Sequence, residues 1–242
     1  MLVQEFEQQG LSLFRWRSYW PLVGLALALW IVWLRPNPYP WLVWPALILG
    51  LLGLFIRIIT VGFTPKNTSG RNTAEGQVAE SINTQGMYSM VRHPLYLGNF
   101  LMWLAPAVLT GHLWFILVFC LAFWLYYERI MFAEEQFLQR KFGKPYQDWG
   151  SQRPAFIPKR LMWQQPNLQF SWKKSLKKEK NGLAALLLVL AGILYVEQVG
   201  IRRQLFWPEL DFWTLSALAS TLLYLVLKFI KKYTHWLDEE GR

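Results

Sequence analysis

Two short stretches gather the side chains able to do chemistry. The first is "GMYSMVRHPLYLGNF", residues 86 to 100, where Arg92, His93 and Pro94 stand directly before an apolar run. Proline lacks an amide hydrogen and suits the first turn of a helix, so Pro94 marks a helix start. The amides of that turn then point back toward Arg92 and His93 and make a small positive site. Tyr96 lies on the same turn, and Gly98 leaves room for a ligand or another helix. The plainer alternative is an interfacial anchor, with Arg92 reaching up to phosphate.

The second stretch is "EEQFLQRKFGKPYQDWGSQRPAFIP", Glu134 to Pro158. Adjacent carboxylates beside an apolar helix are costly unless partnered or exposed. They form either a solvated turn beyond the membrane or a carboxylate that binds a cationic or hydroxyl-rich cofactor. Arg129, Arg140, Lys141 and Arg153 surround them, so a pocket here holds both signs of charge. A substrate with an anionic head and a cofactor with a positive centre suit it.

These residues have to be positioned by an apolar chain. Of 242 residues, 54% are hydrophobic and 17% aromatic, fifteen of them tryptophan. A soluble domain can hardly cover that surface, so the composition indicates a membrane protein. A helical span takes about 20 apolar residues. Six candidates follow: Tyr19–Leu34, Trp41–Ile59, Leu95–Thr110, Leu113–Tyr127, Gly182–Val199 and Phe212–Ile230. The third and fourth read as a hairpin turning at Gly111-His112. The expected fold is therefore all-α and polytopic, with about six transmembrane helices.

Of the 25 basic residues, only Arg35, Arg202 and Arg203 fall in outer loops, and Arg57 sits at the inner end of the second span. The rest fall inside if both termini are cytoplasmic, as the positive-inside rule demands. The net charge of +10 then follows from topology, or adds attraction to anionic headgroups. Charge placed beside spans argues against nucleic acid as a partner. The opening "MLVQEFEQQG" has no basic region leading into an apolar core, so no cleaved signal peptide is expected. One cysteine, Cys120, rules out an intramolecular disulfide. No metal site is expected.

Three segments result: an N-terminal helix pair (1–60), a core (61–160), and a basic connector with a C-terminal helix pair (161–242). The polar stretch "TPKNTSGRNTAEGQ" reads as an ordered or binding loop. The fourth helix is expected to continue past the Glu pair and turn at Gly143. Lys159 to Lys180 reads as a connector, with Trp163 and Trp172 at headgroup level.

Taken together, "TQGMYSMVRHPLYLG", a hydrophobic hairpin and the Glu134–Pro158 stretch resemble the isoprenylcysteine carboxyl methyltransferase superfamily of integral membrane methyltransferases, which includes phospholipid methyltransferases. The ordered pattern covers about a third of the chain. The resemblance implies S-adenosyl-L-methionine as cofactor, in a cytoplasmic-side pocket partly roofed by the segment after the Glu pair. It assigns cofactor contacts to Ile82, Asn83, Tyr88, His93, Pro94, Leu95, Tyr96 and Glu134, with Glu135 as the alternative carboxylate. The prenylcysteine enzymes place an arginine four residues before the cofactor glutamate. Here that position is Ile130 and the arginine is Arg129, about 100° away around a helix. That departure speaks against a prenylcysteine carboxylate, while the two extra C-terminal spans, the long Thr/Asn-rich loop and "FRWRSYWPL" look like a bacterial branch proposed to methylate lipid A phosphate, in the inner membrane.

An anionic oxygen acceptor needs no general base, whereas a protonated amine does. Among three histidines only His93 falls near the site; His112 maps to the outer hairpin turn and His235 lies past the last span. The expectation is O-methylation of a lipid phosphate or carboxylate, the anion held by Arg92, Arg129 or Arg153. The alternatives are isoprenylcysteine carboxyl methylation, phospholipid N-methylation, a sterol-reductase-like use of the fold, and a non-catalytic lipid-binding scaffold. Oligomeric state is not written in the sequence.

Overall fold

The computed structural model describes residues 1–66, 68, 71–73, 76–160 and 162–241. Part of the polar loop read as a binding loop (residues 67, 69, 70, 74 and 75), Leu161 of the connector and the inner-side Arg242 lie outside the described residues. Among the described residues, eight α-helices appear in the order α1 (Leu2–Trp16), α2 (Trp20–Leu34), α3 (Val43–Phe63), α4 (Pro94–Leu109), α5 (Leu113–Phe142), α6 (Lys144–Ser151), α7 (Trp172–Arg202) and α8 (Phe212–Tyr233). A short antiparallel hairpin, β1 (Arg71–Thr73) with β2 (Gly76–Val78), interrupts the helical order. It is a small exception to the expected all-α class.

All six expected spans fall on helices, though not every one of these helices has the length of a span by itself. Among the described residues, four helical segments are long and apolar enough to cross a bilayer: Pro40–Phe63, Leu113–Phe142, Trp172–Arg202 and Phe212–Tyr233. A fifth is obtained only if α1 and α2, which bend by 64°, are taken as one. The bend follows the polar break at Arg17-Ser18. Helix α4 has only 16 residues, held between Pro94 at its first turn and Thr110-Gly111 at its end. Bulky side chains such as Trp30, Trp44, Ile48, Phe55, Leu121, Leu222 and Phe229 point outward and exposed, as lipid-facing residues do. The chain is an integral membrane protein.

Close helix contact depends on glycine. A Cβ on Gly53 of α3 would stand 2.5 Å from the Gly98 carbonyl of α4, and one on Gly98 would stand 2.5 Å from Cγ of Arg57. The space expected at Gly98 is therefore filled by α3 and by the Arg57 stem. Helix α7 packs on α2, α3 and α4, and Leu186, Leu190 and Ile193 join Ala28, Val32, Ala46 and Ala105 in one core.

The N-terminus is a helix too, which the sequence reading did not anticipate. Helix α1 lies along α5: Gly10 touches the Arg129 carbonyl and Ala133, Phe6 meets Phe132 edge-on, and Glu7 pairs with Arg140. Phe14 is buried with Tyr126, Tyr127, Ile130 and Met131. Helix α5 runs past the Glu pair as expected and stops at Gly143, whose φ of +60° suits glycine. The supposed connector is shorter than expected, because Ser171 caps α7 by accepting from the Lys174 amide at 3.1 Å. The lysines from Lys173 onward are thus helical.

Candidate active site

Helix α4 begins at Pro94, and its N-terminal flank is pinned from outside. The Arg92 amide donates to the Pro154 carbonyl and the His93 amide to Ala155, both at 3.0 Å. The chain after α6 is thereby tied to the start of α4, beside the end of α5. Ser89 Oγ stands 2.6 Å from the Gly86 carbonyl and 2.9 Å from that of Met162, within reach of its one hydroxyl proton, and holds the 86–90 turn in place.

The two glutamates part company, as neighbours about 100° apart on a helix must. Glu135 Oε1 lies 2.8 Å from His93 Nε2 and 3.1 Å from Arg92 Nε. Glu134 Oε2 accepts from Tyr96 Oη at 2.9 Å and lies 3.8 Å from His93 Nδ1. The buried imidazole sits between both carboxylates and lies against the Tyr96 ring, centroids 5.6 Å apart. The alternative of a solvated carboxylate turn does not fit: both glutamate side chains are only about a fifth exposed, and one oxygen of each is held by its neighbours.

A cleft of about 570 Å³ opens beside this cluster. Its walls include Ile82, Asn83, Tyr88, Arg92, His93 and Glu134, with Phe137, Leu138, Tyr146 and Trp149 from the end of α5 and from α6. Tyr146 Oη and Trp149 Nε1 are buried with no hydrogen-bond partner among the described residues. Buried polar atoms normally find partners, so an unpaired pair lining one cleft marks a place where a ligand supplies them. Burial, with the Glu134 carboxylate adding to it, pushes the Tyr88 phenol well above its ordinary range. Burial does the same to Tyr146, with Glu135 adding to it, so both tyrosines stay neutral donors.

A second cavity, of about 850 Å³, shares Tyr88, Arg92, His93 and Glu134 with the first and adds Leu95, Tyr96, Arg17, Arg57, Asn99 and Glu179. It shares Arg17, Arg57 and Asn99 with a third, of about 1020 Å³. There the walls turn apolar and come from α2, α4, α5 and α7: Pro21, Met102, Trp103, Pro106, Leu186 and Val189.

The structure thus brings together Ile82, Asn83, Tyr88, Arg92, His93, Tyr96, Glu134 and Glu135, with Leu95 on the second cavity and Pro94 buried beneath them. It does not bring Arg129 there. That guanidinium lies 3.7 Å over the Phe6 ring and pairs with Glu128 at 3.0 Å, because the 100° offset turns it toward α1. Arg153 also stays off the cavity walls and donates to the Trp149 carbonyl at 3.1 Å. Sequence reasoning missed Arg17, Arg57, Asn99 and Glu179. The signals for them were slight: an arginine closing an apolar run, and one glutamate in the lysine-rich "KKSLKKEK".

Comparison with known proteins fits this geometry. Residues 42–145 match the family model for phospholipid methyltransferases. Over 119 residues the chain is 30% identical to nickel-cobalt-cadmium resistance protein NccN of Alcaligenes xylosoxydans xylosoxydans, covering 49% of this chain and 53% of that protein. It is 35% identical over 75 residues to protein-S-isoprenylcysteine O-methyltransferase of Schizosaccharomyces pombe, 31% of this chain and 32% of that protein. It is 38% identical over 81 residues to methanethiol S-methyltransferase 2 of Bradyrhizobium diazoefficiens, 33% of this chain and 30% of that protein. The matches span about half the length of these relatives or less. No solved structure matches. The superfamily resemblance carried by the motifs therefore holds, and the matched segment runs from before α3 through the Glu pair to the start of α6.

Proposed function

We propose that this protein is a membrane methyltransferase that takes its methyl group from S-adenosyl-L-methionine and passes it to an anionic oxygen of a lipid at the cytoplasmic face, in a bacterial inner membrane. The observation that carries this reading is the cleft with Glu134 on one wall and the partnerless Tyr146 Oη and Trp149 Nε1 in its lining. The donor set suits that cofactor. A carboxylate complements an ammonium group or ribose hydroxyls, and neutral N–H and O–H donors complement a carboxylate or a ring nitrogen. Aromatic faces complement a sulfonium. When bound, the cofactor supplies an electrophilic methyl group.

The chain's own residues do the rest by position. Tyr96 and His93 fix the Glu134 carboxylate, and Glu135 holds His93 and Arg92 in place. His93, the one histidine at the site among the described residues, is engaged on both sides, and Glu134 and Glu135 are tied to it, so free bases for a protonated amine are scarce. An acceptor already anionic at neutral pH needs none. Proximity and alignment then supply the acceleration. A lipid phosphate is the acceptor favoured here, with lipid A phosphate a specific case.

The test is methyl transfer from radiolabelled S-adenosyl-L-methionine by the purified full-length protein, with products separated into acidic lipid, amine-bearing phospholipid and volatile sulfide fractions. Label is expected in the acidic lipid, falling about a hundredfold in Glu134→Gln. Label in the amine-bearing phospholipid would transfer the assignment to N-methylation, and label in the volatile fraction to a thiol acceptor. No label and no cofactor binding would leave a lipid-binding scaffold.

A further inference from the structure

The cations around the second cavity differ in what neutralises them. Arg57 donates twice to the Glu179 carboxylate, at 2.7 and 2.8 Å, and once to Asn99 Oδ1 at 2.6 Å. Arg92 faces Glu135 at 3.1 Å. Arg17 has no carboxylate within ion-pair distance among the described residues. Its guanidinium donates to the Phe14 carbonyl at 3.0 Å and lies 3.6 Å over the Phe14 ring. A half-buried cation at the edge of an apolar bundle, with only a carbonyl and a ring for company, is short of an anion.

Its place supplies the rest of the argument. Arg17 stands at the break between α1 and α2, and it lines both the polar second cavity and the apolar third one. A molecule reaching from one to the other has a charged end at Arg17 and a hydrocarbon end between α4 and α7. The far end of the polar cavity is the wall of Tyr88, Arg92, His93 and Glu134 that it shares with the first cleft. Helices α1, α2 and α7 all lie outside residues 42–145, so this arrangement is not part of the matched segment.

We propose that Arg17 is the headgroup-binding cation of an acceptor site for an anionic lipid, entered through the apolar cavity between α2, α4 and α7. The occupant is a lipid-borne oxyanion, not a free ion, because the apolar cavity continues directly from the cation. The Arg57–Glu179–Asn99 clamp lines the same polar cavity, and Arg57 and Asn99 line the apolar one as well. This deepens the methyltransferase reading and rests on it for the acceptor's fate, though binding is measurable without turnover.

The test uses the full-length protein in phosphatidylcholine nanodiscs doped with phosphatidic acid, whose retention is read by native mass spectrometry, with cofactor affinity measured on the same samples. Wild type is expected to retain phosphatidic acid over phosphatidylcholine, and Arg17→Gln to lower that preference about tenfold. Arg17→Lys keeps the charge and most of the preference, and Arg15→Gln, an exposed neighbour on α1, leaves it unchanged. Cofactor affinity is expected to stay within about twofold across all variants, which shows that they fold. Unchanged preference in Arg17→Gln overturns the proposal, as does equal displacement of phosphatidic acid by millimolar inorganic phosphate. If wild type binds the lipid through Arg17 but no S-adenosyl-L-methionine, the methyltransferase reading fails and the lipid site stands.

Discussion

At the scale of residues, the site is a relay of side chains that fix one another. His93 is held by Glu135 at 2.8 Å, and Tyr96 holds Glu134 at 2.9 Å. Tyr96→Phe removes the second bond and leaves the carboxylate freer, so cofactor affinity is expected to fall several-fold while the fold survives, checked by calorimetry. Tyr146 behaves in the opposite way. Its buried hydroxyl has no partner among the described residues, so Tyr146→Phe is expected to keep or raise the thermal midpoint without ligand and still weaken cofactor binding. The pH dependence has a definite sign. The Tyr88 and Tyr146 phenols lie above their unfolded value of about 10. The stability they contribute is therefore complete below about pH 10 and is lost as pH rises through their folded values. An alkaline titration followed at the tyrosinate absorbance is expected to show these phenols among those ionising late, together with unfolding. Both glutamates, His93 and Tyr88 were legible as site residues in the sequence. Arg17 was not, because its role depends on which cavity a helix break points into, and spacing along the chain says nothing of that.

At the scale of elements, the site exists because α3 and α4 touch at glycine. Placing a methyl group at Gly53 drives it against the Gly98 backbone, which has no rotamer to give way. Gly53→Ala gains about 1 kcal/mol of helix propensity. It loses about 1–3 kcal/mol to overpacking, so a lower thermal midpoint in detergent is expected. The six apolar helices were legible from apolar runs, and two helix ends from Pro94 and Gly143, whereas α1 and α6 were not. The run from Tyr19 to Leu34 resembles a full span, yet α2 has only 15 residues and passes the length only with α1 across the 64° bend. Helix α1 itself escaped notice because its apolar residues are interleaved with Gln and Glu and form no continuous apolar run, and its burial depends on α5. Ser171 was equally quiet: a capping serine in a basic, polar stretch looks like any connector residue until its oxygen meets the Lys174 amide.

At the scale of the whole molecule, distant segments close the polar side. Past α8 the chain folds back so that Leu237 is buried, Asp238 pairs with Lys177, and the Gly241 carbonyl accepts from the Lys66 amide at 3.2 Å. Lys66 precedes Thr68, a wall residue of the first cleft whose carbonyl accepts from Asn83 Nδ2 at 3.0 Å. Removing residues 234–242 is expected to raise hydrogen exchange at Asn83 and its neighbours and to weaken cofactor binding a few-fold, with helix content unchanged.

The single wall shared by two cavities also sets how the protein counts its substrates. One cavity lies among polar elements beyond the spans, and the other drains into the apolar bundle. On the proposed methyltransferase function, the donor is then sampled from a volume and the acceptor from a surface. Velocity should saturate with the bulk molarity of the one and with the bilayer mole fraction of the other. Diluting the lipid acceptor with inert lipid at constant total amount should slow the reaction, while diluting whole vesicles in buffer at fixed donor concentration should leave each protein's turnover unchanged.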